Sequence, residues 1–383
     1  MTRSVLVTIP YFPPDPKAGG AEMFVVAMVE GLVKEHGWDV SVVTSTSGGQ
    51  PEVSAGPAGA TVYRLPQQFT LSNSPVSLSW RRELRQLIEQ VNPDVVNINT
   101  PVPGLGDIAS HATGGRPTVV YYHFGSMRKG NLVLDPVIWA YETLVLPLTL
   151  RPARQIVCGS SYVRDGILKR FRGKTAIVPP GVDTVRFHPA PRRVTEPRVL
   201  YVGSLNASDQ HKRFPDLLEA CAILRAELPG LSLSAVGGGD GLPAYRELAS
   251  RLGVADMVQF HGRLDGDRLA QAYRDAAVFA LPSLRETFGM VVTEAMASGL
   301  PVVAVNGGGV PDVVDDGRDG ILVPARDPRA MAAALRDVLT DPARGDAMGK
   351  AGREKVSVRL AWEHQVAALS EIFADAAGRP AAS

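Results

Sequence analysis

Cysteine is scarce in this chain. Only Cys158 and Cys221 occur among 383 residues, each inside an apolar stretch that reads as core. Two isolated cysteines exclude a disulfide framework and a Cys/His metal spacing, and they suit a reducing cytoplasm. Net charge is nearly absent too, at +1, so the total gives no general attraction to nucleic acid. Residues 1–185 carry 17 Lys and Arg against 14 Asp and Glu. That mild excess suits an anionic partner or membrane surface no better than a scatter of solvated charge. No apolar run reaches the roughly 20 residues of a membrane span. The opening "MTRSVLVTIPYFPP" meets proline at Pro10 without the long apolar stretch of a signal peptide. No Asp-x-Asp stands at a strand end, so no metal is expected.

What the chain has is alternation. "SVLVTI", "DVSVVTS", "DVVNINT", "PTVVYYHFG", "RQIVCGS" and "TAIVPPG" read as buried strands. Between them lie helical patterns such as "AEMFVVAMVEGLVKEHG", "WRRELRQLIEQVNP" and "SYVRDGILKRFR". After a proline-bearing segment the pattern restarts with "RVLYVGS", "LSLSAVGGG", "MVQFHGRL", "AVFALPS", "PVVAVNGGG" and "GILVP", again separated by helices. Such alternation predicts parallel sheets covered on both faces. The expected architecture is α/β, with two doubly wound domains, residues 1–185 and 186–360. A last helix, about 361–378, belongs to neither sheet by pattern, and the tail "RPAAS" is expected to be disordered.

Ligands of open parallel sheets bind beyond the carboxyl ends of the strands. The loop after the first strand is long and ends in Gly19 and Gly20 before a helix, a start that lets backbone N–H groups approach a phosphate. A plain connection accounts for it equally well, although its length exceeds the usual 2–6 residues. The matching loop of the second half, "GSLNASDQHKRF", carries Ser204, Lys212 and Arg213. A lysine there can counter a diphosphate or simply be solvated. "AVGGGDG" lacks the dinucleotide spacing. In "RETFGMVVTEAMASG", Thr287 is a suitable N-cap, with Phe288, Gly289 and Met290 opening the helix. Glu286 then stands at the helix mouth and Glu294 within it. Two carboxylates so placed can accept hydrogen bonds from hydroxyl groups at both ends of an extended ligand. A first-turn dipole partner and a surface residue would also explain them.

The order "YFPP…GGAE", "NPDVVNINTP", "YYHFG", "VPPGVD", "YVGSL…HKRFPDLLEA", "QFHGRL" and "RETFGMVVTEAMASGLPVVA" with "GGGVPDVV" resembles the retaining GT-B glycosyltransferases of family 4, the Glu-x7-Glu group. The resemblance covers nearly the whole chain. It implies two Rossmann-like domains facing a central cleft, with a last helix that crosses back to the first. Glu294 would bind the nucleotide ribose. Glu286, helped by the backbone of Phe288 and Gly289, would bind the donor sugar. Lys212 would neutralise the diphosphate, aided by Gly19 and Gly20, and Arg263 and Leu264 would contact the base. His123 would sit near the transferred sugar. The sequence departs from the family at Ser204, where an arginine is usual, so that either Arg213 replaces that charge or the phosphate site carries one cation fewer, and at Pro180 and Asp312.

The implied reaction moves a sugar from a nucleotide diphospho-sugar to a hydroxyl acceptor with retained configuration, by a metal-independent front-face route. No cofactor is implied beyond the co-substrate, and no nucleic acid partner. His123 can equally be a packed core histidine, and Arg128 and Lys129 either meet an anionic acceptor or are solvated. A non-catalytic sugar-nucleotide-binding paralogue and a GT-B epimerase are the rival readings. Peripheral membrane contact through "WRRELRQL", with Trp80, Arg81, Arg82 and Arg85, is a further one, beside an ordinary surface helix.

Overall fold

The computed structural model describes residues 2–15, 19–71, 74–128, 134–192 and 194–378. The chain divides into two compact units, Met1–Gly181 with Trp362–Ser383, and Val182–Ala361.

The first unit contains β1 (Ser4–Thr8), β2 (Asp39–Thr46), β3 (Glu52–Ala55), β4 (Thr61–Pro66), β5 (Phe69–Leu71), β6 (Ser74–Val76), β7 (Val95–Thr100), β8 (Thr118–Tyr122), β9 (Gln155–Cys158) and β10 (Thr175–Ile177). Eight of them form one sheet in the order β10-β9-β8-β7-β1-β2-β4-β3, and β5 and β6 pair separately. Only β3 runs antiparallel within the large sheet. The central strand β1 has Val5 opposite Val40 on one side and Val95 on the other. Its residues Val5 to Thr8 are all buried, as expected of a strand covered on both faces. The chain leaves β1 toward β2, then returns to β7 on the other side. Beyond the carboxyl ends of β1 and β7 the order reverses, which opens a crevice.

The second unit contains β11 (Arg198–Val202), β12 (Ser232–Val236), β13 (Val258–Gly262), β14 (Val278–Leu281), β15 (Val302–Val305) and β16 (Gly320–Val323). They form a wholly parallel sheet in the order β13-β12-β11-β14-β15-β16. This is the doubly wound dinucleotide-fold order, with its reversal between β11 and β14. One apolar cluster, including Phe214, Leu217 and Leu335, covers one face; another, including Phe279, Met296 and Val292, covers the other.

The helix Trp362–Ala376 packs on the first unit, where Val366, Leu369 and Phe373 join the cluster of Phe24, Met28 and Val42. Trp38 Nε1 donates to Ser370 Oγ at 2.9 Å. Gly31 makes the approach close, since a Cβ there would stand 2.9 Å from Val366. Several elements differ from the sequence expectations. "SYVRDGILKRFR" is helical only over Ser161–Asp165, and a separate 3-10 segment follows at Lys169–Lys174. The pair β3 and β4, and the helices Pro328–Thr340 and Pro342–Arg359, are additions. The tail at 379–383 lies outside the described residues.

Candidate active site

In the second unit, the loops after β11 and β14 meet at the reversal point. Leu284 N donates to His211 O at 2.8 Å, and Ser283 Oγ to the same oxygen at 3.4 Å. This clamp sets Lys212 beside Glu286, with Nζ 2.8 Å from Oε1. The two side chains are 21% and 12% exposed, so the pair is mostly covered but still reaches solvent.

The glycines of "GGGVPDVV" explain how Glu286 is held. Gly309 N donates to Glu286 O at 2.7 Å. Gly308 has φ +61, and a Cβ there would overlap the Glu286 backbone; at Gly307 it would stand 2.5 Å from Leu284 O. Backbone lies directly on backbone, which only glycine permits. The triple glycine of "AVGGGDG" does the same for the first loop. A Cβ on Gly237 or Gly239 would overlap the backbone of Gly203 or of Leu205 and Asn206. Leu205 N donates to Gly238 O, and Gly241 N to Leu205 O, both at 3.0 Å.

The expected Thr287 cap is corrected here. The helix runs Met290–Ala297, with Gly289 at the cap in the left-handed region, φ +98, and no side-chain cap bond. The left-handed backbone at Gly289 bars the helix from running through it from Thr287, and Phe288 is buried in the core. Glu294 lies in this helix as expected. Tyr273 OH donates to its Oε2 at 2.8 Å. Burial pushes the Glu294 carboxyl up to about 7, against the opposing Tyr273 hydrogen bond and the Arg186 charge. The two glutamates therefore differ in surroundings: Glu286 is ion-paired and Glu294 is desolvated beside a phenol.

Ser204 Oγ donates to Asp209 Oδ2 at 2.6 Å, so it braces its own loop. The guanidinium of Arg213 is bound by Asp216 on the following helix, Nε to Oδ2 at 2.9 Å. Arg213, half-buried, is thus paired within its own helix start. Arg263 is exposed and Leu264 half-buried just past β13, with Leu264 packed on the core.

In the first unit, Gly19 caps the helix Gly20–Lys34. Its N–H is already bound, donating to Glu22 Oε2 at 2.8 Å, while Gly20 is exposed with nothing near its missing Cβ. His123 follows β8. Its N–H donates to Thr100 O at 2.9 Å, and its ring packs on Phe24 and Tyr121. Its Nε2 is 2.7 Å from Asn99 Oδ1. Asn99 Nδ2 donates to Asn97 Oδ1 at 2.9 Å, and Asn97 Nδ2 to Val119 O at 3.2 Å. A small pocket at the β1/β7 reversal is lined by Ile9, Pro10, Ala21, Glu22, Asn99, Thr100, Val102, His123 and Phe124. Arg128 is half-exposed, 3.5 Å from Glu142; Lys129 lies outside the described residues. Trp80 is fully buried, its Nε1 donating to Pro66 O at 3.0 Å. That removes the aromatic from any interfacial patch on that helix, although Arg81, Arg82 and Arg85 are exposed. Among the described residues no helix is long and apolar enough to cross a membrane, and no group of three His, Cys, Asp or Glu could hold a metal ion.

Two family models match the chain, "Glycosyltransferase Family 4" over residues 18–186 and "Glycosyl transferases group 1" over residues 186–355. A GDP-mannose-dependent alpha-(1-6)-phosphatidylinositol monomannoside mannosyltransferase of Mycobacterium tuberculosis is 31% identical, over 97% of this chain and 98% of its own. The chain belongs to the family 4, group 1 glycosyltransferases. It is a glycosyltransferase of GT-B fold. A D-inositol 3-phosphate glycosyltransferase of Streptomyces avermitilis is 36% identical, but the match spans 58% of this chain and about half, 52%, of that relative. Among solved structures, sucrose-phosphate synthase from Thermosynechococcus elongatus covers 97% of this chain and 98% of its own at TM-score 0.74 and 24% identity. HepE of Anabaena, in complex with UDP and glucose, covers 97% and 100% at TM-score 0.76 and 18% identity. Those two likenesses concern the fold.

The sequence reading of this glycosyltransferase missed Tyr273, His211, Glu22, and the pair Asn97 and Asn99. Only the asparagines left a signal. Two amides alternate on one face of "VVNINT", a strand whose six residues are all buried. Buried amides require partners, so polar residues in such a strand point to a network.

Proposed function

We propose that this glycosyltransferase moves a sugar from a nucleotide diphospho-sugar to a hydroxyl acceptor with retained anomeric configuration and without a metal. The observation that carries the reading is the Lys212–Glu286 pair at the β11/β14 reversal, in the same unit as the enclosed carboxyl of Glu294. A diphosphate brings negative charge that Lys212 meets directly. Glu286, released from its cation, accepts hydrogen bonds from hydroxyl groups of the donor sugar, with the Phe288 and Gly289 backbone alongside. Glu294 accepts from the ribose. Arg263 and Leu264, past the end of β13, are assigned to the base. In the first unit, His123 and the helix start at Gly19 and Gly20 are assigned to bound substrate; with the Gly19 N–H held by Glu22, Gly20 is the freer approach.

The anomeric C–O bond to the diphosphate breaks, a new C–O bond to the acceptor oxygen forms on the same face, and the acceptor proton passes to the departing diphosphate. The protein's share is charge stabilisation and orientation. The names of the relatives make GDP-mannose a first donor to try and inositol-bearing compounds first acceptors. The test is nucleoside diphosphate release over a panel of nucleotide sugars, with and without acceptor, followed by NMR of the product anomer. Acceptor-dependent release with a retained anomer supports the reading. An inverted anomer, an isomerised free sugar, or binding without turnover on any pair would sink it.

A further inference from the structure

The hydrogen bonds around His123 settle which ring nitrogen carries the proton. The Val119 backbone carbonyl can only accept. Asn97 therefore turns its amide nitrogen toward Val119 O, at 3.2 Å, and its oxygen toward Asn99. Asn99 must then give its nitrogen to Asn97 Oδ1, at 2.9 Å, and turn its own oxygen toward the histidine. That oxygen is 2.7 Å from His123 Nε2, so Nε2 has to be the donor. Both asparagines are about 1% exposed, so no water competes to reverse the order. No hydrogen bond to Nδ1 occurs among the described residues.

We infer that Asn97 and Asn99 act as positioning residues, fixing His123 with the proton on Nε2 so that the ring offers a bare Nδ1 as an acceptor for a substrate hydroxyl group. Asn99 and His123 both line the pocket at the β1/β7 reversal, and Asn97 does not. The ring cannot easily rotate out of this arrangement, because Tyr121 lies 4.5 Å and Phe24 5.2 Å from it, centroid to centroid. It also stays neutral. Burial drives its pKa down to about 3. The titratable groups near it are Tyr121, whose phenol donates to Val178 O at 2.7 Å, and Glu22 across the pocket, whose carboxylate is bound to Gly19 N. A neutral ring with its only proton committed to Asn99 cannot donate to substrate. It can take a hydrogen bond from a hydroxyl and so orient it. This assignment of His123 rests on the transferase reading; the tautomer itself does not.

The test is a long-range 1H–15N spectrum of the 15N-labelled full chain, with His123 assigned by the signals lost in His123→Asn. Between about pH 6 and 8, the wild type should show a protonated Nε2 and a bare Nδ1, unchanged across the range. Asn97→Ala frees Asn99 to flip, so a share of His123 should move to the opposite tautomer. With the best donor and acceptor pair, the same variant should lose about tenfold in kcat, with a smaller change in KM. A merely structural role for Asn97 would lower stability without moving the tautomer. A protonated Nδ1, an averaged or charged ring in the wild type, or an unmoved tautomer in Asn97→Ala overturns the inference. If the protein transfers with the opposite tautomer, this inference fails and the function stands. If it shows the expected tautomer yet transfers nothing, the function fails instead.

Discussion

Lys212 and Glu286 neutralise each other at 2.8 Å, and that pairing separates their roles in stability and in turnover. A part-exposed ion pair contributes about 1 kcal/mol or less to folding. On the proposed assignment of Lys212 to the departing diphosphate, the cation contributes far more to the transition state, so Lys212→Ala should lower kcat by about 10²–10³-fold while leaving the unfolding midpoint almost unchanged. Steady-state kinetics beside a denaturant titration checks both. Glu294 behaves in the opposite way. Its folded pKa, about 7, lies above that of an unfolded glutamate. The folded state therefore holds the extra proton, and the contribution is complete below about pH 4.5 and lost as pH rises through about 7. The apo protein should lose on the order of 1–3 kcal/mol across that window, and Glu294→Gln should flatten it in pH-dependent denaturation. On the proposed assignment of Glu294 to the ribose, whose hydroxyl groups donate to a carboxylate, nucleotide affinity should rise with pH over the same window. Both glutamates were legible in the sequence as a spaced pair. Their difference was not, because it comes from Tyr273, 21 residues away in the chain, and from burial that no spacing reveals.

At the scale of elements, the site depends on two loops pressed onto glycine. Gly308→Ala has to leave φ +61 or push the Glu286 backbone aside. A strained backbone of this kind costs about 1–3 kcal/mol. The expected outcome is a protein that folds with a lowered midpoint and loses most of its turnover, whereas Gly317→Ala, with φ +76 but nothing near its Cβ, should lose stability alone. Parallel kinetics and melting of the two variants distinguish these results. The glycine triplets stood out in the sequence, but their partners did not. A triplet that fits no phosphate fingerprint looked uninformative until Gly237 and Gly239 were seen against Gly203 and Leu205. The Thr287 cap failed because Gly289, at φ +98, breaks helical backbone between Thr287 and Met290.

At the scale of the molecule, alternation of strands and helices was enough to give two α/β units, because a strand buried on both faces is apolar at most of its positions. Strand order was not available from alternation. It is set by which loop can return across β1 and β11, and by β3, exposed throughout, and β4, which buries only Val62 and Leu65, so that both gave little pattern. The last helix shows how a distant segment completes a core. Phe373 is fully buried against Trp38, 6.0 Å between ring centroids. Phe373→Ala should cost about 3–5 kcal/mol, read as a loss of melting temperature in the first unit, although the residue lies far from any substrate contact assigned above.

The division of labour between the two glutamates is the central claim, and calorimetric titration of two ligands into two variants tests it most directly. Glu294→Ala should weaken the free nucleoside diphosphate and the intact nucleotide sugar alike, by about tenfold or more. Glu286→Ala, which frees Lys212 of its partner, should bind the free diphosphate at least as tightly as the wild type and lose only the added affinity and turnover of the intact donor. Equal weakening of both ligands by Glu286→Ala, or wild-type binding by Glu294→Ala, would contradict the account.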